Sequence, residues 1–383
     1  MIPYFAIIFL SLSSHIVSVL RNSRVWYIIY LFILGTFLCC GYMCGSDWRQ
    51  YELMYNNINF NNIFYGYYAE PGFLFYMLIP RFFNVDFWVF SILTKIIQFI
   101  IFANIINRYA PEYKYFVWMF LLPKSGFYMF IDYPMRNMIA ITIFLLSIKY
   151  IIGKDVKRYI ICAAIAMMFH YSAIVTIPFY FILNKNISTN IYLLWFVLIF
   201  TIFSSSYLFE SILIKISGLS PYILKQVEFY VLGDTIDGDG SIISVGMFLQ
   251  IFFFVCLLKF RKVIEITKYG HIIFNGALIY ILLYRLGLTI SIFSRFQLYL
   301  VVFYVIGVVS LVRAFTASSK PLVISIICLL SCYICCSDIK RNGWKYVPYT
   351  NYVKYLMTDD LKSYRYRDNY NLLNTPYKES INK

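Results

Sequence analysis

Several ionisable residues lie inside or at the ends of long apolar stretches, where a charge is costly and is usually kept for a function. On the topology derived below, they share the outer side of a membrane: Asp47, Arg49, Glu52, Glu70, Arg81, Asp132, Arg136, His170, Arg285 and Arg295. Arginine binds phosphate or carboxylate through paired hydrogen bonds, and carboxylates and histidine can act as general acids or bases. These residue types are therefore candidates for binding a phosphate or carboxylate group and for moving protons.

Arg136 lies near the start of an apolar stretch, in the order Asp132-Tyr-Pro-Met-Arg136. Proline is favoured in the first turn of a helix, so Pro134 places Arg136 in the first turn, at the membrane surface. A helix N-terminus there also favours an anion. An alternative stays open at this stage, in which Arg136 pairs with Asp132 and only anchors the helix.

Two further arginines, Arg285 and Arg295, lie at the ends of consecutive apolar stretches. The short linker between them carries no acidic residue, so two guanidinium groups without a local counter-charge favour phosphate or carboxylate. Anchoring at the membrane interface is the alternative for both.

His170 is the only residue in 159–183 that ionises near neutral pH. It could hydrogen-bond a pyrophosphate or a sugar, act as a base, or be a structural histidine on an apolar helix. Asp47 and Glu70 lie in the first outer loop beside aromatic residues such as Trp48. Carboxylates beside aromatic rings are typical of carbohydrate sites, although loop carboxylates are often simply solvated.

The composition excludes a soluble enzyme. The chain has 383 residues, of which 61% are hydrophobic and 13% are charged, and its mean hydropathy is +0.71. Soluble domains are about 25% charged. The apolar stretches are continuous rather than alternating, which predicts an all-α polytopic protein with about 11–13 transmembrane helices. The net charge of +15 comes without a nucleic-acid motif. Cys332, Cys335 and Cys336 imitate a CxxC motif, but they lie in the last apolar stretch without a partner histidine cluster, which favours small buried side chains over a metal site.

Basic linkers mark the cytoplasmic side of such a protein. Their positions predict outer loops at 45–86 and 210–240, within a multi-pass catalytic domain of residues 1–337. Both linkers around 159–183 are basic, so this stretch is predicted to be a helical hairpin with His170 near its outer apex. Residues 71–83 are too few to cross. The sequence does not decide on which side of the membrane the polar, basic tail at 338–383 lies.

Six motifs occur along the chain in this order: Gly45-x-Asp47-Trp48-x-x-Tyr51, Glu70-Pro71-Gly72-Phe73, Arg136-x-x-Ile139-Ala140, Ala166-x-x-Phe169-His170-x-Ser172-Ala173, Ser294-Arg295-x-x-x-Tyr299 and Pro348-Tyr349-x-Asn351. In types and order they resemble the EpsG family of bacterial polysaccharide polymerases, which includes Wzy-type O-antigen and capsule polymerases.

The resemblance implies a GT-C-like glycosyltransferase of the bacterial inner membrane, with its active site facing the periplasm. Donor and acceptor would be glycans linked to undecaprenyl pyrophosphate, and the growing glycan would move to the non-reducing end of the incoming unit. No metal or other cofactor is expected, and no nucleic acid. Membrane lipid is an expected partner, and a chain-length regulator protein is left open as another.

The same resemblance, with the chemistry above, assigns roles to the residues. Asp47, Glu70 and His170 are the predicted catalytic residues. The predicted pyrophosphate ligands are Arg136, Arg285 and Arg295. The predicted substrate-binding residues are Trp48, Tyr51, Arg81, Tyr299 and Tyr349.

Two other functions stay open. A flippase or exporter of the same lipid-linked saccharide would need charges deep in the membrane, and Lys95 lies in the middle of an apolar stretch. An O-antigen ligase would use the same donor with a different acceptor. The position of the candidate residues on one side favours chemistry at that surface instead.

Overall fold

A computed structural model describes residues 1–63, 69–202, 245–288 and 292–358. Over these ranges the chain is helical nearly throughout, and its extended pairing is confined to an isolated bridge between Gly41 and Asn351. The predicted all-α class is confirmed. The predicted outer loop 210–240 and residues 359–383 of the tail lie outside the described residues.

The first half of the chain contains α1 (Ile2–Ile16), α2 (Ser18–Asn22), α3 (Arg24–Cys39), α4 (Trp48–Asn57), α5 (Pro71–Phe82), α6 (Phe87–Tyr109), α7 (Lys114–Leu121) and α8 (Met135–Ile152). The chain then continues with α9 (Val156–Phe169), α10 (Thr176–Ile182), α11 (Thr189–Ile202), α12 (Val245–Lys259), α13 (Arg261–Glu265), α14 (Gly270–Gly287), α15 (Ile292–Leu298), α16 (Val301–Ser310), α17 (Lys320–Tyr346) and α18 (Tyr352–Thr358).

Within the described ranges, four helices are long and apolar enough to cross a membrane: α6, α8, α14 and α17. A fifth such unit is α15 with Val301–Ala314, which together bend by 59°. Shorter apolar helices, among them α1, α3, α11 and α12, have 10–17 residues. The chain is therefore a polytopic helical membrane protein, and the predicted number of crossings stays a prediction.

The chain forms two compact units. The first contains Met1–Leu146, Ala164–Tyr171 and Pro321–Lys383, and the second contains Ser147–Ala163 and Ser172–Lys320. The boundary predicted at residue 337 lies inside α17, which continues to Tyr346. The described part of the tail thus belongs to the same unit as the N-terminal helices.

The predicted hairpin at 159–183 is confirmed by contacts between its two legs. The helix α9 ends at Phe169, a 3-10 turn follows, and α10 begins at Thr176. The Tyr159 hydroxyl donates a hydrogen bond to the carbonyl oxygen of Thr176 at 2.6 Å. In a continuous helix these residues would be separated by about 25 Å, so the chain must reverse. His170 lies at the break between the legs.

The stretch that precedes α8 departs from a regular α-helix. After α7 the chain continues as π-helix over Leu122–Gly126 and Tyr128–Asp132. It stops at Tyr133, whose φ is 60°. Runs of π-helix are rare and frequently occur at functional sites. The π-helical stretch ends at Asp132, and the next helix, α8, begins at Met135, one residue before Arg136.

Candidate functional site

Glu70 is a buried carboxylate on which three segments of the first unit converge; its side chain is 3% exposed. Its Oε1 lies 2.9 Å from Nδ1 of His170 and accepts a hydrogen bond from the backbone N–H of Tyr171 at 3.2 Å. Its Oε2 accepts a hydrogen bond from Nη1 of Arg136 at 2.8 Å. Three residues predicted separately from the sequence therefore form one cluster.

The Glu-Pro-Gly-Phe motif explains how Glu70 reaches this position. Glu70 is the N-cap of α5, and Pro71 occupies the first helical position, where its missing N–H costs nothing. A Cβ on Gly72 would lie 2.8 Å from both the Cβ and the carbonyl oxygen of Met168. Glycine thus allows the start of α5 to pack directly against the end of α9, next to His170. Phe73 is fully buried and fixes the helix.

Gly72→Ala is expected to separate Glu70 from His170, because the added methyl group meets backbone atoms that cannot move cheaply. Overpacking of this kind costs about 1–3 kcal/mol of stability. The measurement is the melting temperature of the purified protein together with its activity. Gly343→Ala is the matched control, since a Cβ there meets nothing within 4 Å. Equal behaviour of the two variants would contradict the close approach.

Glu70 remains ionised near neutral pH. Burial alone would raise the pKa of Glu70, but the hydrogen bond with His170 and the positive charge of Arg136 outweigh it and bring the pKa to about 2. A carboxylate only accepts hydrogen bonds, so Nδ1 of His170 carries the proton. The second ring nitrogen, Nε2, is then left for another partner. Glu70 is consequently a weak base, and its negative charge holds the side chains of Arg136 and His170 in place.

The low pKa of Glu70 predicts an acid-sensitive contribution to stability. A depressed pKa stabilises the folded state above the ordinary value of 4.5, and this stabilisation is lost as the pH falls from 4.5 toward 2. The melting temperature of the wild type should fall by roughly 5 °C more than that of Glu70→Gln over this window. If the melting temperatures of the wild type and of Glu70→Gln changed equally with pH, this would contradict an ionised Glu70 in the cluster.

A second network of hydrogen-bonded polar groups in the same unit is centred on Asp132, which is 3% exposed. Its Oδ1 accepts hydrogen bonds from the backbone N–H of Ser46 at 2.6 Å and from the Ser46 hydroxyl at 2.8 Å. Its Oδ2 accepts one from Nζ of Lys345 at 2.7 Å. Asp132 therefore pairs with the tail lysine, and Arg136 pairs with Glu70. The sequence reasoning missed Ser46 and Lys345; the basic excess of the tail was the only signal.

Asp47 adjoins this hydrogen-bond network, because its Oδ1 accepts a hydrogen bond from the Ser46 hydroxyl at 3.0 Å. Burial and the negative charge of Asp132 raise the pKa of Asp47, whereas Lys345 and Arg136 oppose the change. Asp47 is thus better suited than Glu70 to accept a proton.

The other predicted substrate-binding residues have internal contacts. Trp48 is buried with the Arg49 guanidinium 4.7 Å from its ring, and Tyr51 is buried near Arg136. The remaining contacts are from Nη2 of Arg81 to the Asn56 carbonyl (3.2 Å), from the Tyr349 hydroxyl to the Phe37 carbonyl (2.7 Å), and between the hydroxyls of Tyr299 and Ser172 (3.0 Å). Their roles in binding substrate stay predictions.

The remaining two arginines belong to the second unit. Arg285 lies in the last turn of α14 and is 3% exposed, whereas Arg295 is exposed on α15. The two helices approach closely, since a Cβ on Gly287 would lie 3.1 Å from the backbone nitrogen of Ser294. Their predicted part in pyrophosphate binding stays a prediction.

Acidic, histidine and cysteine side chains form no group of three that could hold a metal ion within the described ranges. The predicted absence of a metal stays a prediction. In the first unit, the carboxylate of Glu70 holds a guanidinium and an imidazole in place. Asp47 is a separate carboxylate that can exchange a proton. This combination suits the transfer of a group from a phosphate.

The chain was compared with known families and proteins. The family model described as the EpsG family matches residues 2–352, which confirms the resemblance inferred from the motifs. No curated protein and no solved structure matches the chain with significant similarity.

Proposed function

The chain belongs to the EpsG family, and on that premise we propose that it polymerises oligosaccharide repeat units carried on undecaprenyl pyrophosphate. The reaction takes place at the periplasmic face of the bacterial inner membrane. The growing glycan leaves its carrier and joins the non-reducing end of the next lipid-linked unit.

The observation that carries this proposal is the cluster of Glu70, Arg136 and His170. When the glycosidic bond to the diphosphate breaks, the departing oxygen takes the electron pair and gains negative charge. Donors held in place before the reaction stabilise that charge most effectively. Arg136 is such a donor, and its buried Nε has no hydrogen-bond acceptor among the described residues. His170 can donate through Nε2 only when both of its ring nitrogens are protonated, because Nδ1 already faces Glu70.

The acceptor hydroxyl must lose a proton as its oxygen attacks the anomeric carbon. Glu70 is unsuited to take it, because its charge is already held by Arg136 and His170. Asp47 is the base in this proposal, and His170 orients the diphosphate or the acceptor hydroxyl through Nε2. Arg136, from the first turn of α8, binds the diphosphate. Arg285 and Arg295, which belong to the second unit, stay predicted pyrophosphate ligands.

The flippase alternative depended on Lys95, which lies inside α6 and is 4% exposed. Its Nζ is 4.5 Å from the centre of the Tyr133 ring. This cation–π contact gives the deep charge a partner inside the first unit. A transport path is not needed to account for it.

The test uses purified protein in proteoliposomes with one chemically defined repeat unit on undecaprenyl pyrophosphate. A polymerase yields glycans of two and more units on the carrier, together with free undecaprenyl pyrophosphate. Movement of intact substrate across the bilayer without longer glycans would indicate a flippase. Transfer only when a lipid A core is added would indicate a ligase, and either result would overturn the proposal.

A further inference from the structure

The described part of the tail runs back along the segment that follows α3. The backbone N–H of Gly45 donates to the carbonyl of Lys345 at 2.8 Å, and that of Tyr42 donates to Thr350 at 3.0 Å. The N–H of Tyr352 donates to Cys40 at 2.8 Å. Residues 345–352 therefore form a strap, which is attached by backbone hydrogen bonds to residues 40–45.

The Pro-Tyr-x-Asn motif fastens this strap. The Tyr349 hydroxyl donates to the Phe37 carbonyl at 2.7 Å. The Asn351 amide donates to the Thr36 carbonyl at 3.2 Å and to the Tyr349 hydroxyl at 2.9 Å. Two carbonyl groups in the last turn of α3, those of Thr36 and Phe37, thus accept hydrogen bonds from the tail. The motif fixes the register in which Lys345 meets Asp132.

The strap brings a cation to a pair of acidic side chains. Lys345 contacts Asp132, and the hydroxyl of Ser46 bridges Asp132 and Asp47. One hydroxyl proton cannot serve two carboxylates, so the pair favours retaining a proton. Gly45, at a φ of 91°, keeps the loop against Asp132, because a Cβ there would collide with the Asp132 backbone.

We propose that the tail strap is part of the active site, with Lys345 and Asp132 as positioning residues that set the place and the charge of Asp47. This inference rests on the proposed function, in which Asp47 accepts the proton of the acceptor hydroxyl. Lys345 neutralises Asp132, and Asp132 holds Ser46 and, through it, Asp47. Arg136 is the other charged group that acts on Asp47.

The two positioning residues should shift the pH–activity profile in opposite directions. Lys345→Met removes a positive charge, so Asp47 loses its proton less readily and the acidic limb moves to higher pH. At a given pH on that acidic limb, activity should fall by up to roughly tenfold, and it should recover as the pH is raised. Asp132→Asn removes a negative charge and should move the same limb to lower pH. Lys345→Arg should restore the wild-type profile.

The matched control is Lys340→Met, which changes an exposed lysine of the same helix, α17. It should leave the profile unchanged. Equal loss of activity at every pH in Lys345→Met, without rescue by arginine, would show that the strap is only structural and would overturn the inference.

A second measurement does not depend on polymer formation. Infrared spectroscopy follows the protonated carboxyl band of Asp47, which is assigned by its loss in Asp47→Asn. Its titration should move to higher pH in Lys345→Met and to lower pH in Asp132→Asn. These shifts in a protein that makes no polymer would refute the proposed function and leave the coupling standing. Normal polymer formation without either shift would refute the coupling alone.

Discussion

Glu70→Gln is expected to reduce the rate of polymer formation by at least about a hundredfold. The amide has nearly the same shape as the carboxylate, but it carries no charge and turns one acceptor into a donor. That donor must face either Arg136 or the pair of N–H groups from His170 and Tyr171. The cluster therefore loses its hydrogen bonds on one side. The measurement is the initial rate with the defined lipid-linked unit.

Glu112→Gln is the control for this substitution, because Glu112 is an exposed glutamate on the 3-10 turn that follows α6. It should retain the wild-type rate. Both variants should be present at wild-type levels in the membrane. A Glu70→Gln enzyme that polymerises within a few-fold of wild type would remove Glu70 from the account.

Arg136→Lys is expected to have the second largest effect, a loss of about a hundredfold in kcat. Lysine keeps the positive charge and can still pair with Glu70, so the buried carboxylate is not left uncompensated and the fold should survive. It cannot present the paired N–H groups of a guanidinium to a diphosphate. The loss should therefore appear mainly in kcat, where negative charge develops, and less in KM.

The matched control is Arg158→Lys, which changes an exposed arginine that is also ion-paired, with Asp155 at 3.4 Å. Exposed pairs contribute little, so this variant should behave as wild type. An Arg136→Lys enzyme with unchanged kcat and a raised KM would mean that the guanidinium only helps to bind the substrate.

The fold class followed from hydropathy because the membrane forces every backbone polar group into an internal hydrogen bond, which leaves helices as the form for continuous apolar stretches. The hairpin around His170 followed from the basic residues on both sides of 159–183. Contacts of Tyr159 with Thr176 bear it out. The broken spans could not be predicted, because apolar stretches look alike whether the helix is continuous or interrupted.

Each member of the Glu70 cluster was predicted from local sequence, but their meeting was not. Glu70 is 66 residues from Arg136 and 100 residues from His170, and no spacing rule joins such positions. Considered alone, Glu70 was a possible base. Once the structure supplies its two partners, its pKa is low, which favours an anchoring role over that of a base; the role itself stays a prediction.

The alternative pairing of Arg136 with Asp132 fails for a geometric reason. A spacing of four residues brings side chains together only on a continuous α-helix. Tyr133 interrupts the helix with a φ of 60°, and the stretch before it is π-helical. Asp132 is instead neutralised by Lys345, more than two hundred positions further along the chain, at 2.7 Å. The basic charge of the tail thus has a partner that the sequence alone could not identify.

The most direct test of polymerisation by the Glu70 cluster is the length of the cell's polysaccharide on a gel. Cells lacking the gene should make only single repeat units. The wild type, Glu112→Gln and Arg158→Lys should each restore the full ladder, whereas Glu70→Gln and Arg136→Lys should leave single units. A full ladder from Glu70→Gln, or loss of even the single unit on deletion, would contradict the account.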